Sequence, residues 1–207
     1  MQLSPLGRLM LLALGVALLG PASARAQAPL LDRLTVGLKL TSQAYGLPFR
    51  NVGQGRRNLG VAAELSYAYN SRQTLLQTLQ LGVQHHREHG NQYSVNTQLA
   101  YRPTLLGRLE PGVALGLGRV YSFANPRNPV YEQDGSGTWR KSARQHRGHW
   151  QAPLSLSLGY RVQRSEGMQV TPFVDYQITP IINYNEAFVA FPYSLLSVGM
   201  RVKLPQS

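Results

Sequence analysis

The chain of 207 residues lacks cysteine altogether, which excludes a disulfide framework and the attachment of lipid to an N-terminal cysteine. It also lacks a long hydrophobic run. The longest, Leu9 to Leu19, is about half of the roughly twenty residues that a helix needs to cross a bilayer. Acidic residues are scarce, with 9 Asp and Glu against 21 Lys and Arg. Glycine (20 residues) and tyrosine (11 residues) are plentiful, a mixture that favours an all-β protein with many turns.

The first 26 residues are typical of a secretory signal peptide. Arg8 supplies the basic start, Leu9 to Leu19 the apolar centre, and Ala24-Arg25-Ala26 a cleavage site of the small-x-small type. We therefore expect cleavage near Ala26 and one mature domain, residues 27–207. Because an exported protein works away from nucleic acid, the net charge of +12 predicts an anionic lipid or polysaccharide partner, or solvated loops, and no nucleic acid.

Two segments near the end of the chain share one alternating pattern. In residues 157–162 and 197–202, large apolar residues occupy every second position, with serine, glycine or arginine between them. Successive side chains of a strand point to opposite faces, so each segment predicts a strand with one apolar face and one small or polar face. The interpretation of the chain depends on which of these faces meets lipid.

The same alternation recurs along the chain and predicts eight strands. We expect them at Leu34–Leu40, Leu59–Tyr69, Leu75–Gln84, Tyr93–Tyr101, Gly112–Tyr121, Trp150–Val162, Val170–Ile178 and Tyr193–Leu204. The predicted connections are short at Asn70–Arg72, Arg102–Arg108 and Gln163–Gly167, long at Ser42–Arg57, Phe123–His149 and Pro180–Pro192, and polar at His86–Gln92. Short turns at one end and long loops at the other are typical of an eight-stranded antiparallel up-and-down transmembrane β-barrel.

The small-residue face is expected to line the bore of this barrel. A water-facing exterior normally carries many Lys and Glu, whereas this face is mostly Gly, Ala, Ser, Thr, Gln and Asn with a few charges of both signs. Buried charges need partners, so these residues are candidates for ion pairs in the lumen: Lys39, Glu64, Arg161, Asp175 and Arg201. Two alternatives stay open, a narrow passive pore and a soluble lipocalin-like carrier with the faces inverted.

The aromatic residues are expected to form two girdles at the membrane interfaces. One set lies at the short-turn ends of the predicted strands and the other at the long-loop ends. The first contains Tyr67, Tyr69, Tyr101 and Tyr160, and the second Tyr93, Tyr121, Trp150 and Tyr193. Arg119 has outward parity beside Tyr121, so we expect its side chain to reach towards the interface.

With these strands and girdles, the region Leu31 to Leu204 resembles the small eight-stranded outer-membrane β-barrels of the OmpA/OmpX type from Gram-negative bacteria. The resemblance implies a monomer in the cell outer membrane, with both termini in the periplasm and the long loops outside. It implies outer-membrane lipid, lipopolysaccharide and the barrel-assembly machinery as partners, without a periplasmic domain. Many members end on an aromatic residue, whereas this chain ends Val202-Lys203-Leu204-Pro205-Gln206-Ser207.

The residues do not predict an enzyme, a cofactor or a metal site. The five histidines lie near the predicted long-loop rim, at His85, His86, His89, His146 and His149, in a spacing that matches no established metal signature. The loop acids Asp134 and Glu186 have no histidine partner in the sequence, so no catalytic residue is expected.

The third loop is predicted to carry a basic cluster. Arginine pairs well with phosphate and carboxylate, so the loop is a candidate binder of lipopolysaccharide phosphates or another anionic polymer. A charged loop that only keeps the rim solvated is the alternative. The cluster consists of Arg127, Arg140, Lys141, Arg144 and Arg147.

Overall fold

The computed structural model describes residues 33–45, 58–86, 90–123, 131–133, 137–141, 146–163, 168–182 and 190–203. The chain divides at residue 30 into two units, and every described residue belongs to the second, Leu31–Ser207. The predicted signal peptide, residues 1–26, lies outside the described residues. No helix in the described ranges is long and apolar enough to cross a bilayer.

The described residues form twelve strands in two sheets. Ten strands belong to one antiparallel sheet, and β6 and β7 form a separate hairpin. The strands are β1 (Leu34–Tyr45), β2 (Leu59–Ala68), β3 (Leu75–His86), β4 (Gly90–Tyr101), β5 (Leu109–Phe123), β6 (Tyr131–Gln133), β7 (Trp139–Lys141), β8 (His146–Gln151), β9 (Leu154–Tyr160), β10 (Val162–Gln163), β11 (Gln169–Ile182) and β12 (Ala190–Lys203).

The pairings of the large sheet run in a closed circuit. Strands β1 to β5 pair in order, β5 pairs with β8 and β9, these pair with β11, and β11 pairs with β12. β12 then pairs with β1 over eleven positions, from Thr35↔Lys203 to Tyr45↔Tyr193. β8, β9 and β10 follow one another as a single wall strand interrupted at Ala152–Pro153 and Arg161. The predicted eight-stranded antiparallel up-and-down barrel is therefore confirmed.

Burial alternates along the wall strands and shows which face is outside. Leu38 and Met200 are 62% and 50% exposed, whereas the neighbouring Lys39 and Arg201 are only 3% and 4% exposed. The alternation is complete over most of β3, where the apolar positions face out and Thr78, Gln80 and Gln84 are buried. The barrel thus has an apolar exterior and a polar bore, and the soluble carrier with inverted faces is wrong.

Four predicted loops are shorter than expected. The loop predicted at Ser42–Arg57 starts later, because β1 continues to Tyr45. β11 continues to Ile182 and β12 begins at Ala190, so Pro180 and Pro192 lie in strands. These prolines pair with each other, so their two missing N–H donors fall at one ladder position.

The predicted loop His86–Gln92 is reduced to residues 87–89. Strand β3 includes His86 and β4 begins at Gly90, whose φ of 88° suits a glycine better than any other residue. The predicted third loop, Phe123–His149, is shorter because β8 resumes the wall at His146, and part of its remainder forms the β6–β7 hairpin.

The exterior face makes a testable prediction. Leu38 pairs with Ala63 and Met200 near the middle of β1, so Leu38→Arg should place a charge in the hydrocarbon and lower the free energy of unfolding by roughly 2–4 kcal/mol. Urea unfolding in lipid vesicles measures this change. The matched control is Leu106→Arg in the turn after β4, where the side chain is 96% exposed and the change should stay within about 0.5 kcal/mol. Equal effects of the two substitutions would contradict a lipid-facing wall.

Candidate functional site

The short-turn half of the bore contains a network of buried ion pairs. Nε of Arg201 donates to Oε1 of Glu64 at 2.6 Å, and its Nη1 lies 3.4 Å from Oε1 of Glu110. On the other side of the network, Nε of Arg161 donates to Oε2 of Glu110 at 2.7 Å. Nη1 of Arg102 lies 3.7 Å from Oε1 of Glu64. Two carboxylates thus bridge three guanidinium groups, which compensates the cost of removing these charges from water.

A separate buried pair lies beside this network. Nζ of Lys39 on β1 donates to Oδ2 of Asp175 on β11 at 2.9 Å, and both side chains are almost completely enclosed. The structure therefore brings together Lys39 with Asp175 and Arg201 with Glu64. It also pairs Arg161 with Glu110. Glu110 was not among the residues predicted to form ion pairs in the lumen.

Small residues on the inner face make room for these long side chains. A Cβ added at Gly37 would overlap the side chain of Glu64, and one added at Gly199 would lie 2.7 Å from Cβ of Lys39 and 2.9 Å from Cζ of Phe173. In the space so provided, Cζ of Arg201 lies 3.6 Å from the centroid of the Phe173 ring, a cation–π contact. The glycines of the alternating pattern are thus required by the packing inside the barrel.

The sequence missed two members of the network, Glu110 and Arg102. The predicted fifth strand began at Gly112, so Glu110 was left outside it, and Arg102 was assigned to the connection Arg102–Arg108. β5 in fact begins at Leu109, and Pro111 lies in the strand opposite Leu158. Glu110 has the same inward parity as Gly112 and Ala114, which is the signal that could have found it.

The middle of the bore is filled by amides and hydroxyls that bond to one another. Gln177 accepts hydrogen bonds from Ser155 and Gln98 at 3.2 and 3.4 Å and donates to Thr179 at 2.8 Å. Further contacts join Gln43 to Gln92, Gln151 to Asn96, Gln84 to Thr41 and Ser66 to Thr78. These bonds satisfy most of the polar atoms that would be costly to bury alone, while Oε1 of Gln43 and Oε1 of Gln84 accept no hydrogen bond from the residues that the structure describes.

The long-loop half of the bore holds an apolar cluster. Val120, Ile181, Tyr193 and Leu195 are all buried there. The hydroxyl of Tyr193 donates to Oε1 of Gln151 at 2.6 Å, so this residue faces inward. The prediction that Tyr193 belongs to the outer girdle is wrong, because on β12 it shares the inward parity of Ser197 and Arg201.

The other girdle candidates lie at the two rims of the exterior. At the short-turn rim, Tyr101 and Tyr160 are exposed, and Tyr67 and Tyr69 pack edge to face with centroids 5.8 Å apart. The long-loop rim presents Tyr93, Tyr121 and Trp150, all exposed, and Cζ of Arg119 lies 5.5 Å from the Tyr121 centroid and 5.1 Å from that of Trp150. Arg119 is thus held among aromatic rings on the outer surface.

The basic cluster is described only in part. Arg140 in β7 and Arg147 in β8 are exposed, and the backbone of Lys141 ends β7. Arg127 and Arg144 lie outside the described residues. The hairpin also presents Trp139, which is 66% exposed and was not among the predicted binding residues. An exposed tryptophan beside an arginine is a composition typical of recognition surfaces.

Histidines at the long-loop rim form hydrogen bonds and ring contacts. Nδ1 of His85 lies 2.8 Å from Oδ1 of Asn91, and His146 stacks on Phe123 with centroids 6.1 Å apart. His86 is buried, and His89 lies outside the described residues. No group of three potential metal ligands occurs among the residues that the structure describes.

A small cavity opens at the short-turn end of the bore. Its volume is about 30 Å³, close to that of a single water molecule. The charged residues lining it are Arg102, Glu110, Arg161, Arg201 and Lys203. This cavity can hold water or a small ion.

The buried pair of Lys39 and Asp175 makes a prediction about stability. Asp175→Asn leaves the ammonium group without its counter-ion inside the bore and should lower the free energy of unfolding by about 3–5 kcal/mol. Urea unfolding in lipid vesicles measures this loss. The double variant Lys39→Met/Asp175→Asn removes both charges and should recover most of it. A double variant less stable than the single one would show that the pair is not the dominant interaction.

Comparisons with known proteins give distant structural likenesses. No protein-family description matches the chain, and no curated protein matches it. Similar solved structures include Neisserial surface protein A, with 13% identity over 83% of this chain and 96% of that chain and a TM-score of 0.48. The N-terminal β-barrel domain of Pseudomonas aeruginosa OprF has 17% identity over 81% of this chain and 96% of that one, with a TM-score of 0.42. Ail of Yersinia pestis, in complex with the heparin analogue sucrose octasulfate, has 10% identity over 82% and 95%, with a TM-score of 0.42.

Proposed function

We propose that this chain is an integral outer-membrane β-barrel whose role is structural or lies in surface interaction through its long-loop end. In this proposal residues 1–26 are the export signal, and residues 27–207 form a barrel that the barrel-assembly machinery inserts as a monomer. The observation that carries the proposal is the inversion of the usual protein interior. Large apolar side chains cover the exterior of the wall strands, while glutamines and ion pairs occupy the bore.

A soluble protein would not tolerate this exterior. Leu38, Leu115, Leu156, Val174 and Val198 are about half exposed or more and come from different parts of the circuit. Monomeric soluble proteins rarely expose continuous apolar patches larger than a few hundred Å², whereas such a band is what hydrocarbon solvates best. The closed circuit of pairings also leaves no open sheet edge, as a barrel in lipid requires.

The filled bore argues against a transport role. An eight-stranded barrel is just wide enough for side chains to occupy its interior. Ion pairs, amides and the apolar cluster follow one another from the short-turn half of this bore to the long-loop half. The narrow pore is therefore the weaker alternative. No catalytic residue is proposed, because Glu64, Glu110 and Asp175 are all paired with cations inside the barrel.

The basic third loop supports binding of an anionic surface. Arg140 and Arg147 are exposed at the long-loop end, and Arg127, Lys141 and Arg144 lie close to them in the sequence. Guanidinium groups present several donors to phosphate oxygens, so the phosphates of lipopolysaccharide or another anionic polymer are the proposed ligand. The exposed ring of Trp139 would add an apolar contact to such a surface.

Nitroxide labelling tests the membrane orientation. Because the chain has no cysteine, Val198→Cys and Ser197→Cys each give one attachment site without background. After folding into lipid vesicles, the label at 198 should be relaxed more by oxygen than by a polar nickel complex, because it faces hydrocarbon. The label at 197 should respond little to either reagent, because Ser197 is buried. Stronger relaxation by nickel at 198 would refute insertion in the membrane.

The loop is tested by replacing its five basic residues with glutamine. We expect binding to surfaces coated with lipopolysaccharide to fall by at least about tenfold and to lose its dependence on salt. Substitution is preferable to deletion of residues 127–147, since His146 and Arg147 belong to the wall strand β8. The control is Arg72→Gln/Arg108→Gln, which removes two exposed charges at the short-turn end. Unchanged binding by the loop variant would show that the basic cluster only keeps the rim of the barrel solvated.

A further inference from the structure

The apolar wall is interrupted by one permanently charged side chain. Among the outward positions of the described wall strands, Arg119 is the only Lys, Arg, Asp or Glu, and it is exposed. An arginine on the lipid-facing side costs roughly 2–4 kcal/mol at the bilayer midplane and about 0–1 kcal/mol near the interface. The depth of Arg119 in the bilayer therefore decides whether it destabilises the barrel or can contact lipid headgroups.

The register places Arg119 at the edge of the apolar band. On β5, Leu109 pairs with Tyr160 of the short-turn girdle, and Arg119 lies ten residues further along, paired with Trp150 of the opposite girdle. Ten residues of a strand tilted by about 40° rise roughly 25 Å along the barrel axis, which matches the height of a transmembrane apolar band. Arg119 thus lies at the depth where hydrocarbon gives way to lipid headgroups.

The surroundings hold the guanidinium without neutralising it. Tyr121 and Trp150 contact it by cation–π interactions at 5.5 and 5.1 Å, within the distance at which such contacts are attractive. Gly148 leaves room for this arrangement, since an added Cβ would lie 3.1 Å from the Tyr121 ring and 3.7 Å from Nη2 of Arg119. In the described part of the chain, no carboxylate forms a salt bridge with Arg119. The N–H donors of the Arg119 guanidinium are therefore available to a ligand on the membrane side.

We propose that Arg119, braced by Tyr121 and Trp150, binds the phosphate group of a lipid in the leaflet at the long-loop end. The guanidinium presents paired N–H donors that match two phosphate oxygens. The acyl chains of the same lipid can lie along Val95, which pairs with Arg119, and Leu117, which precedes it by two residues on β5. The inference rests on the proposed membrane orientation but concerns the outer wall, not the basic loop.

The parent protein of the experiment is the folded barrel in dodecyl maltoside, a detergent without phosphate, with the five basic residues of the third loop replaced by glutamine so that they do not bind the lipid phosphates. Native mass spectrometry counts bound lipid during titration with bis-phosphorylated lipid A and with the same lipid after removal of its phosphates. A second readout is the fluorescence of Trp150 in a Trp139→Phe background, which leaves it as the only tryptophan. For the parent protein we expect the phosphorylated lipid to bind at least about tenfold more tightly, because charge-assisted hydrogen bonds form only with phosphate.

The variants locate that preference. Arg119→Gln should abolish it, and Arg119→Lys should retain part of it because the charge remains without the fork. Arg108→Gln is the matched control, since Arg108 also contacts a rim aromatic, with Nη1 3.2 Å from the hydroxyl of Tyr160 at the opposite end. This control should bind like the parent protein. Migration of each unheated variant as a folded barrel on a gel excludes misfolding as the reason for lost binding.

Three results would overturn the proposal. One is equal affinity of the parent protein for the phosphorylated and dephosphorylated lipids. Another is a preference that persists in Arg119→Gln. The third is complete competition by millimolar inorganic phosphate, which would show a site for a soluble anion. The nitroxide at position 198 reports lipid contact independently, so failure of the phosphate site is distinguishable from failure of membrane insertion.

Discussion

The structure depends on the closure of an antiparallel hydrogen-bonded ladder in which side chains alternate strictly between two faces. Closure satisfies the backbone polar groups along the wall, which permits contact with hydrocarbon. Alternation then assigns nearly every wall residue either to lipid or to the bore. Leu38 and Lys39 are neighbours in β1, yet the apolar side chain is exposed and the charged one is buried. The constraint thus separates apolar from charged side chains at adjacent positions.

Filling of the bore follows from the same constraint. Every second residue must point into a space of fixed width, so large inward residues require small ones opposite them. Gly37 permits the side chain of Glu64, and Gly199 permits Phe173 beside Arg201. Ionic groups are tolerated because nearly each one has a counter-ion within hydrogen-bonding distance, as Lys39 has in Asp175. The result is a bore filled mainly by polar side chains, with an apolar cluster in its long-loop half, inside an apolar wall.

The fold was predictable from the sequence to the extent that it depends on period-two alternation. That pattern identified the eight wall strands, their faces and most of the charged residues of the lumen. It failed where another signal outweighed parity. Pro180 and Pro192 were assigned to a loop but lie in strands, and β5 begins at Leu109 rather than Gly112, so Glu110 was missed. Tyr193 was assigned to the girdle as an aromatic residue near a strand end, although its parity with Ser197 indicated the bore.

The partners within the candidate site were less predictable. Which cation meets which carboxylate depends on the register between strands that are far apart in the sequence, such as β2 and β12, and the sequence carries no local signal for it. The rings that contact Arg119 likewise come from β5 and β8, two strands that are joined by the third loop and pair with each other. Alternation alone predicted the outward direction of Arg119, but not the two rings that enclose it.

The buried ion pairs also bear on how the cylinder closes. Lys39 of β1 meets Asp175 of β11, and Arg201 of β12 meets Glu64 of β2, so both pairs span the junction between the first and last strands. Their partners are 136 and 137 residues apart, so neither pair can form until the two ends of the chain meet. A misalignment of that junction by one residue would turn one strand's charge towards hydrocarbon. The four side chains therefore favour the correct register between β1 and β12, where the barrel closes.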